Sequence, residues 1–201
     1  KLSPAAKAYA LQNAEARLLL QMEPSNAVYE AILARANISE VDRWRAVVAL
    51  AGAAGRSKME QFAEVIANAE KDDWASLKDL AAMLAKLDGD DLREAGPLLQ
   101  QIAERSTSSI TRQAAYAAWF RTGEIEQAWQ HALKSRVSLS DALNGIQGIE
   151  DKRSVEKLFA LVRPLMFKLP AGLQSAEDDV VTRAGPAVAY EYYEPNPAQD
   201  V

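Results

Sequence analysis

Residues 39–55 read SEVDRWRAVVALAGAAG, and the whole fold can be argued from them. Ser39 offers a side-chain oxygen to the free N–H groups that open a helix. Trp44, Val47, Val48 and Leu50 follow as the apolar residues of that helix. Gly55 closes it, because a helix commonly ends on a left-handed residue and only glycine adopts that conformation freely. The stretch is one capped helix with a glycine stop.

Working outward, the same pattern recurs. Gly55, Gly89 and Gly123 stand 34 residues apart. The helix before each glycine carries an alanine at a matching place, Ala46, Ala81 and Ala115, and ten residues after each glycine stands Val65, Leu99 or Leu133. A period near 34 holds two short helices and two turns, the unit of an α-solenoid. The alanines fall where the first helix of each unit meets its neighbours and space is short.

The remaining helices carry their own signals. Ser3-Pro4 opens a first helix to about Met22, with Leu11, Leu18 and Met22 on its buried side. Ser25 caps a second, with Val28, Ile32 and Leu33. The third is the stretch quoted above. Ser57-x-x-Glu60 is a capping box for a fourth, with Phe62, Val65 and Ile66. Asp72 or Asp73 starts a fifth, buried through Leu77, Leu80, Leu84 and Leu87. Asp90 caps a sixth, interrupted at Gly96-Pro97, with the better helix running from Pro97 to Glu104.

Ser108 or Ser109 opens a seventh helix through Ala114, Ala115 and Ala118, and an eighth follows with Ile125, Trp129 and Leu133. Ser138-x-x-Asp141 begins a ninth, with Leu143 and Ile146. The tenth starts near Ser154 and carries Val155, Leu158, Val162 and Met166, with Pro164 as a kink. The expected fold is therefore all-α: a right-handed α-solenoid of about five antiparallel helix pairs, HEAT/armadillo-like, over residues 1–170. A tetratricopeptide array shares the period, but its Trp-Leu-Gly-Tyr spacing and terminal proline are missing.

After Leu169-Pro170 the periodicity stops. Residues 171–186 are small, acidic and aperiodic, as in a linker. Val188, Tyr190 and Tyr192 then alternate with Ala189, Glu191 and Tyr193, which reads as a strand and the start of a following β-domain at 187–201. The chain opens at Lys1 and ends inside that strand, so it is expected to be a piece of a longer polypeptide.

Charge and composition narrow the chemistry. Roughly a fifth of the 201 residues are alanine, which favours closely packed helices. The net charge is −5, but from Pro170 onward there are six acids against Arg183 alone, so the helical body carries 22 basic and 22 acidic residues. A neutral body lacks the basic footprint that phosphate contacts need, so nucleic acid is not an expected partner. No apolar run is long enough to span a bilayer, so no membrane insertion is expected. The chain has no cysteine, which removes disulfides, thiolate metal sites and covalent haem attachment from this segment.

No residues combine into a catalytic, metal or cofactor site. His131, the one histidine, lies near the end of the eighth helix with Lys134 and Arg136, where positive charge complements the helix dipole. No second histidine, cysteine or carboxylate at i+4 supports a metal there, and no serine sits in a nucleophile elbow. Trp44, Trp74, Trp119 and Trp129 all fall on helices, as packing residues do, although adjacent Trp119 and Phe120 point two ways and leave one partly exposed. Asp72-Asp73 and Asp90-Asp91 stand at expected helix starts, where caps belong. Arg43 and Arg112 occupy equivalent places three residues before Ala46 and Ala115; each is a solvated first-turn residue or a bridge to a neighbouring repeat, and the alternative is part of a concave ligand surface.

Ser109-Ile-Thr-Arg112-Gln-Ala-Ala115-Tyr-Ala-Ala118, with Ala128-Trp129 and Lys134-Ser135, resembles one family. So do Leu18-Leu19-Leu20-Gln21-Met22 with Ala27-Val28-Tyr29, and Val162-Arg163-Pro164-Leu165 with Leu169-Pro170. The likeness is to the HEAT-repeat region of the multidomain c-type cytochromes of planctomycetes and relatives, also described as membrane-bound-dehydrogenase-like haem-binding proteins. It covers residues 10–172. In that family the region separates a β-propeller from a haem domain with a Cys-x-x-Cys-His motif, which has no counterpart here. The resemblance implies an exported, periplasmic parent with haem c elsewhere, and a non-catalytic scaffold here whose partners are neighbouring domains or another protein. A peptide- or polysaccharide-binding module using aromatics on a concave face is the competing expectation; a stripe of exposed Trp and Arg across repeats would favour it.

Overall fold

A computed structural model of the chain describes residues 3–72, 74–149 and 152–166, and every regular element among them is helical. The linker expected at 171–186 and the strand expected within 187–201 lie outside the described residues. In chain order the elements are α1 Pro4–Asn13, α2 Ala16–Leu19, α3 Asn26–Ala34, α4 Glu40–Ala54, α5 Lys58–Lys71 and α6 Leu77–Ala85. Then come α7 Gly89–Glu94, α8 Gly96–Arg105, α9 Ser109–Trp119, α10 Ile125–Ala132, α11 Arg136–Ile146 and α12 Lys152–Val162, with a 3-10 turn at Arg163–Met166.

Local chemistry sets most of the starts and stops. Ser3, Ser25, Ser39, Ser57 and Ser108 each accept a hydrogen bond from the backbone N–H three residues on. At Ser57 the Glu60 carboxylate accepts in return from the Ser57 N–H at 2.9 Å, completing the capping box. Gly55, Gly89 and Gly123 all have left-handed backbones, with φ of 66°, 52° and 99°. Gly55 closes α4 directly, and its N–H reaches back to Gly52. Gly89 and Gly123 do not close the helices before them: Gly89 is the first residue of α7, and Gly123 stands in the turn between α9 and α10.

The structure corrects several expectations. The first helix does not run to Met22: Ala14 and Glu15 are extended, and the Arg35 guanidinium donates to the Leu11 carbonyl at 3.2 Å, serving the exposed end of α1. The break turns Leu19 into the core at 0% exposure and leaves Leu18, expected inside, at 51%. Val48 is also outside, because α4 buries Arg43, Ala46, Val47, Leu50 and Ala51 and Val48 lies beyond that stripe. Asp72 ends α5 instead of starting the next helix, and α6 begins at Leu77. Asp88, not Asp90, is the residue before α7, with Asp90 and Asp91 in its first turn.

Ser135 rather than Ser138 caps α11, accepting from the Ser138 N–H at 3.0 Å. Gly96-Pro97 splits the sixth expected helix into α7 and α8, and Pro164 lies in the 3-10 turn instead of kinking α12. The ten expected helices are thus twelve among the described residues.

The packing has a regular order. Neighbours in sequence pack together (α3 with α4, α4 with α5, α8 with α9, α10 with α11), and so do more distant helices: α5 with α8, α6 with α9, α9 with α11, α10 with α12. Ala46, Ala81 and Ala115 are all buried, as short side chains between close helices must be. Leu33, Phe62, Leu80, Leu99 and Leu139 are among the large side chains sealed in the core, each stabilising by about 1.5–3 kcal/mol on burial. Gly145 marks the closest approach: a Cβ there would stand 2.6 Å from the Gln113 carbonyl oxygen, so α11 can lie on α9 only with glycine at that point.

Candidate functional site

Three places among the described helices gather polar groups: two are structural ties and the third is an open cleft. Arg43 in α4 has no solvent exposure, yet its guanidinium is well provided with partners. It donates to the carbonyls of Leu33 at 3.0 Å, Arg35 at 2.7 Å and Ile38 at 3.3 Å, and to the Asp79 carboxylate at 2.7 Å. Those carbonyls belong to the end of α3 and the turn after it, while Asp79 is on α6. Burial pulls the guanidinium below its ordinary value, and Asp79 opposes that by favouring the charged form.

Arg112, in the equivalent place of α9, does the same. It donates to the carbonyls of Ser106 and Thr107, both at 3.0 Å, and to Asp141 of α11 at 2.6 Å, with Gln113 adding a second bond to that carboxylate. Both arginines therefore bridge to the helix two places further along the chain, α4 to α6 and α9 to α11. Neither is a solvated first-turn residue, and neither faces a ligand surface. Arg121 and Glu70 add further ties, Arg121 to the Ala85 carbonyl at 2.7 Å and Glu70 to Ser106 and the Thr107 N–H.

The second place surrounds His131. The histidine is buried, not a cation facing solvent at a helix end. Tyr116, at 0% exposure, donates its hydroxyl to Nδ1 at 2.8 Å, and Nε2–H donates to Glu104 at 3.1 Å, which assigns the tautomer from the partners. Ser138 adds a hydrogen bond to Tyr116, and Gln100 donates to Glu104 at 3.0 Å. The chain of bonds thus joins α8, α9, α10 and α11. Burial pushes the Tyr116 phenol up to about 12, so it stays a donor. Burial, and then Lys134, hold His131 below its ordinary value, so the imidazole is neutral at pH 7.

Sequence reasoning missed this network, because Tyr116 and His131 are brought together across two helices by packing and not by local spacing. Tyr116 also stacks against Trp119 and Phe120, both fully buried, so neither member of that pair is the partly exposed one expected.

The tryptophans divide in two. Trp119 and Trp129 are core. Trp44 is half-buried between Phe62, with ring centroids 4.7 Å apart, and the Lys58 ammonium 4.5 Å above its ring. Lys58 in turn pairs with Asp91. Trp74 differs: it is half-buried and lines an open cleft.

That cleft is the third place. It lies between α3 and α5 over the C-terminal end of α4, with a volume of about 470 Å³. Leu33, Leu50 and Val65 form its floor. One face of α5 lines it with Gln61, Glu64 and Asn68, and α3 faces them with Asn26 and Glu30. Arg56 and Asp72 stand at its rim, Arg56 in an ion pair with Glu64. Nothing in the sequence marked it, because its lining comes together from α3, α4, α5 and the turn after α5 only through packing.

Among the described residues, no three His, Asp or Glu side chains group closely enough to hold a metal ion, and no helix is long and apolar enough to cross a membrane. Compared with known proteins, the chain matches no family model, no curated protein and no solved structure.

Proposed function

We propose that the chain is a right-handed α-solenoid of HEAT/armadillo-like helix pairs that works as a non-catalytic scaffold. The observation that carries this reading is the pair of register-equivalent ties, Arg43 to Asp79 and Arg112 to Asp141, each joining one unit to the next. The order of helix contacts and the three left-handed glycines 34 residues apart support it as well. Polar side chains in the body are spent on holding helices to helices. Such a body suits a rigid spacer between other parts.

In line with the resemblance quoted above, the parent is an exported, periplasmic c-type cytochrome-like protein, and the scaffold spaces its redox domains. Haem belongs to a neighbouring domain and not to this segment. A face-long binding stripe finds less support: Trp119 and Trp129 are buried, Trp44 is covered by Lys58, and Arg43 and Arg112 are bound into the turns.

The test is made in the parent protein. Residues 1–170 are replaced by a flexible Gly/Ser linker, and electron transfer between the flanking domains is measured beside the activity of each domain alone. Transfer falls while each domain keeps its own activity if the segment is a spacer. Unchanged transfer, or a parent without a Cys-x-x-Cys-His motif, contradicts the reading.

A further inference from the structure

The α3/α5 cleft holds a group that packing leaves unused. Gln61 is only 8% exposed as a residue and lines the cleft, and among the described residues its side-chain amide has no protein partner and is left open to the cleft. Its amide can donate to and accept from an occupant of the cleft, which has room for more than a single water.

Its surroundings define the complement. Glu30, Glu64 and Asp72 bring three negative charges to the cleft and Arg56 one positive charge, already committed to Glu64. Trp74 contributes an indole to the lining, and Leu33, Leu50 and Val65 contribute aliphatic surface. An apolar floor below a negative rim fits a side chain with an aliphatic stem and a cationic head. Primary amides, which both donate and accept, fit the peptide groups of an extended chain.

We propose that this cleft binds a basic peptide segment, seating a lysine or arginine side chain between Glu30 and Asp72 with Gln61 bonded to the peptide backbone. A neutral saccharide would use the amides and the indole but gain nothing from the charge, so charge favours the peptide. The inference goes beyond the scaffold reading and stands independently of the family resemblance.

The test is calorimetric titration of the full chain with hexalysine, with hexaglutamate and a neutral glucose hexasaccharide as comparisons. The variants are Gln61→Leu, which removes the amide without changing charge, and Glu30→Gln on the exposed face of α3. Glu126→Gln on α10 is the charge-matched control away from the cleft.

Hexalysine is expected to bind one per chain, roughly tenfold weaker in Gln61→Leu and in Glu30→Gln, unchanged in Glu126→Gln, and weaker as salt is added. Circular dichroism checks that each variant keeps its helix; should Gln61→Leu unfold, Glu30→Gln decides. The proposal fails if hexalysine does not bind, if all variants bind it equally, or if the saccharide binds in its place.

Discussion

The guanidinium of Arg43 meets the carboxylate of Asp79 at 2.7 Å, from a site with no solvent exposure to one about half exposed. The two partners are unequal. Arg43 also supplies the donors for three carbonyls around the end of α3, so its loss leaves several buried acceptors unserved, whereas the loss of Asp79 leaves those bonds in place. Arg43→Met is expected to cost about 3 kcal/mol or more in urea unfolding and Asp79→Asn about 1 kcal/mol. Equal effects would mean that the ion pair, not the carbonyl cluster, is what Arg43 contributes.

Two helical glycines should respond in opposite directions to alanine. At Gly52 in α4 a Cβ meets nothing within 4 Å, so Gly52→Ala is expected to stabilise by about 0.5–1 kcal/mol through helix propensity. At Gly145 the Cβ meets the Gln113 carbonyl and the Ala117 N–H, both backbone, and α11 must move off α9. Gly145→Ala is expected to destabilise by about 1–3 kcal/mol, read from the unfolding midpoint. A stabilising Gly145→Ala would contradict the close α9–α11 packing.

His131 makes stability depend on pH. Its folded value lies below the ordinary 6.5, so below that pH the unfolded chain takes up a proton that the folded chain refuses. Stability is full above about pH 6.5 and falls as pH falls through it. Glu104, held down chiefly by its bond from Gln100, has its effect only below its ordinary 4.5. Between about pH 7.5 and 5.5 the wild type should lose up to about 1.4 kcal/mol, and His131→Gln should lose none of it. Parallel curves for the two proteins would place His131 in a solvated setting instead.

Thr111 is fully buried on α9, and among the described residues its hydroxyl has no partner. Valine keeps the shape and removes the unmet group, so Thr111→Val is expected to raise stability by about 1 kcal/mol in thermal unfolding. A loss would mean that the hydroxyl bonds to an ordered water.

What the sequence made legible was local. The serine caps, the Ser57–Glu60 box and the left-handed glycines depend on residues within a few positions of one another, and a pattern reader sees that range. The alanine register was legible too, because close helices force small residues wherever they meet. Leu18 and Val48 were misplaced because their side depends on where a helix breaks and which neighbour it meets. Ser135 was passed over for Ser138 since both carry hydroxyls at a plausible start. The Tyr116–His131 bond and the α3/α5 cleft are products of tertiary packing, and no spacing in the chain encodes them.

Stacking of the repeats in a line is the central claim, and the lack of cysteine makes it directly measurable. Val41, Ile110 and Val137 are exposed, and each is the second residue of its helix, α4, α9 and α11. Cysteines introduced there in pairs and spin-labelled give three distances by pulsed electron spin resonance. A linear stack in the order α4, α6, α9, α11 makes 41–137 the longest and 110–137 the shortest. A 41–137 distance shorter than 41–110 would mean that the helices close on themselves as a bundle, and it would contradict the solenoid.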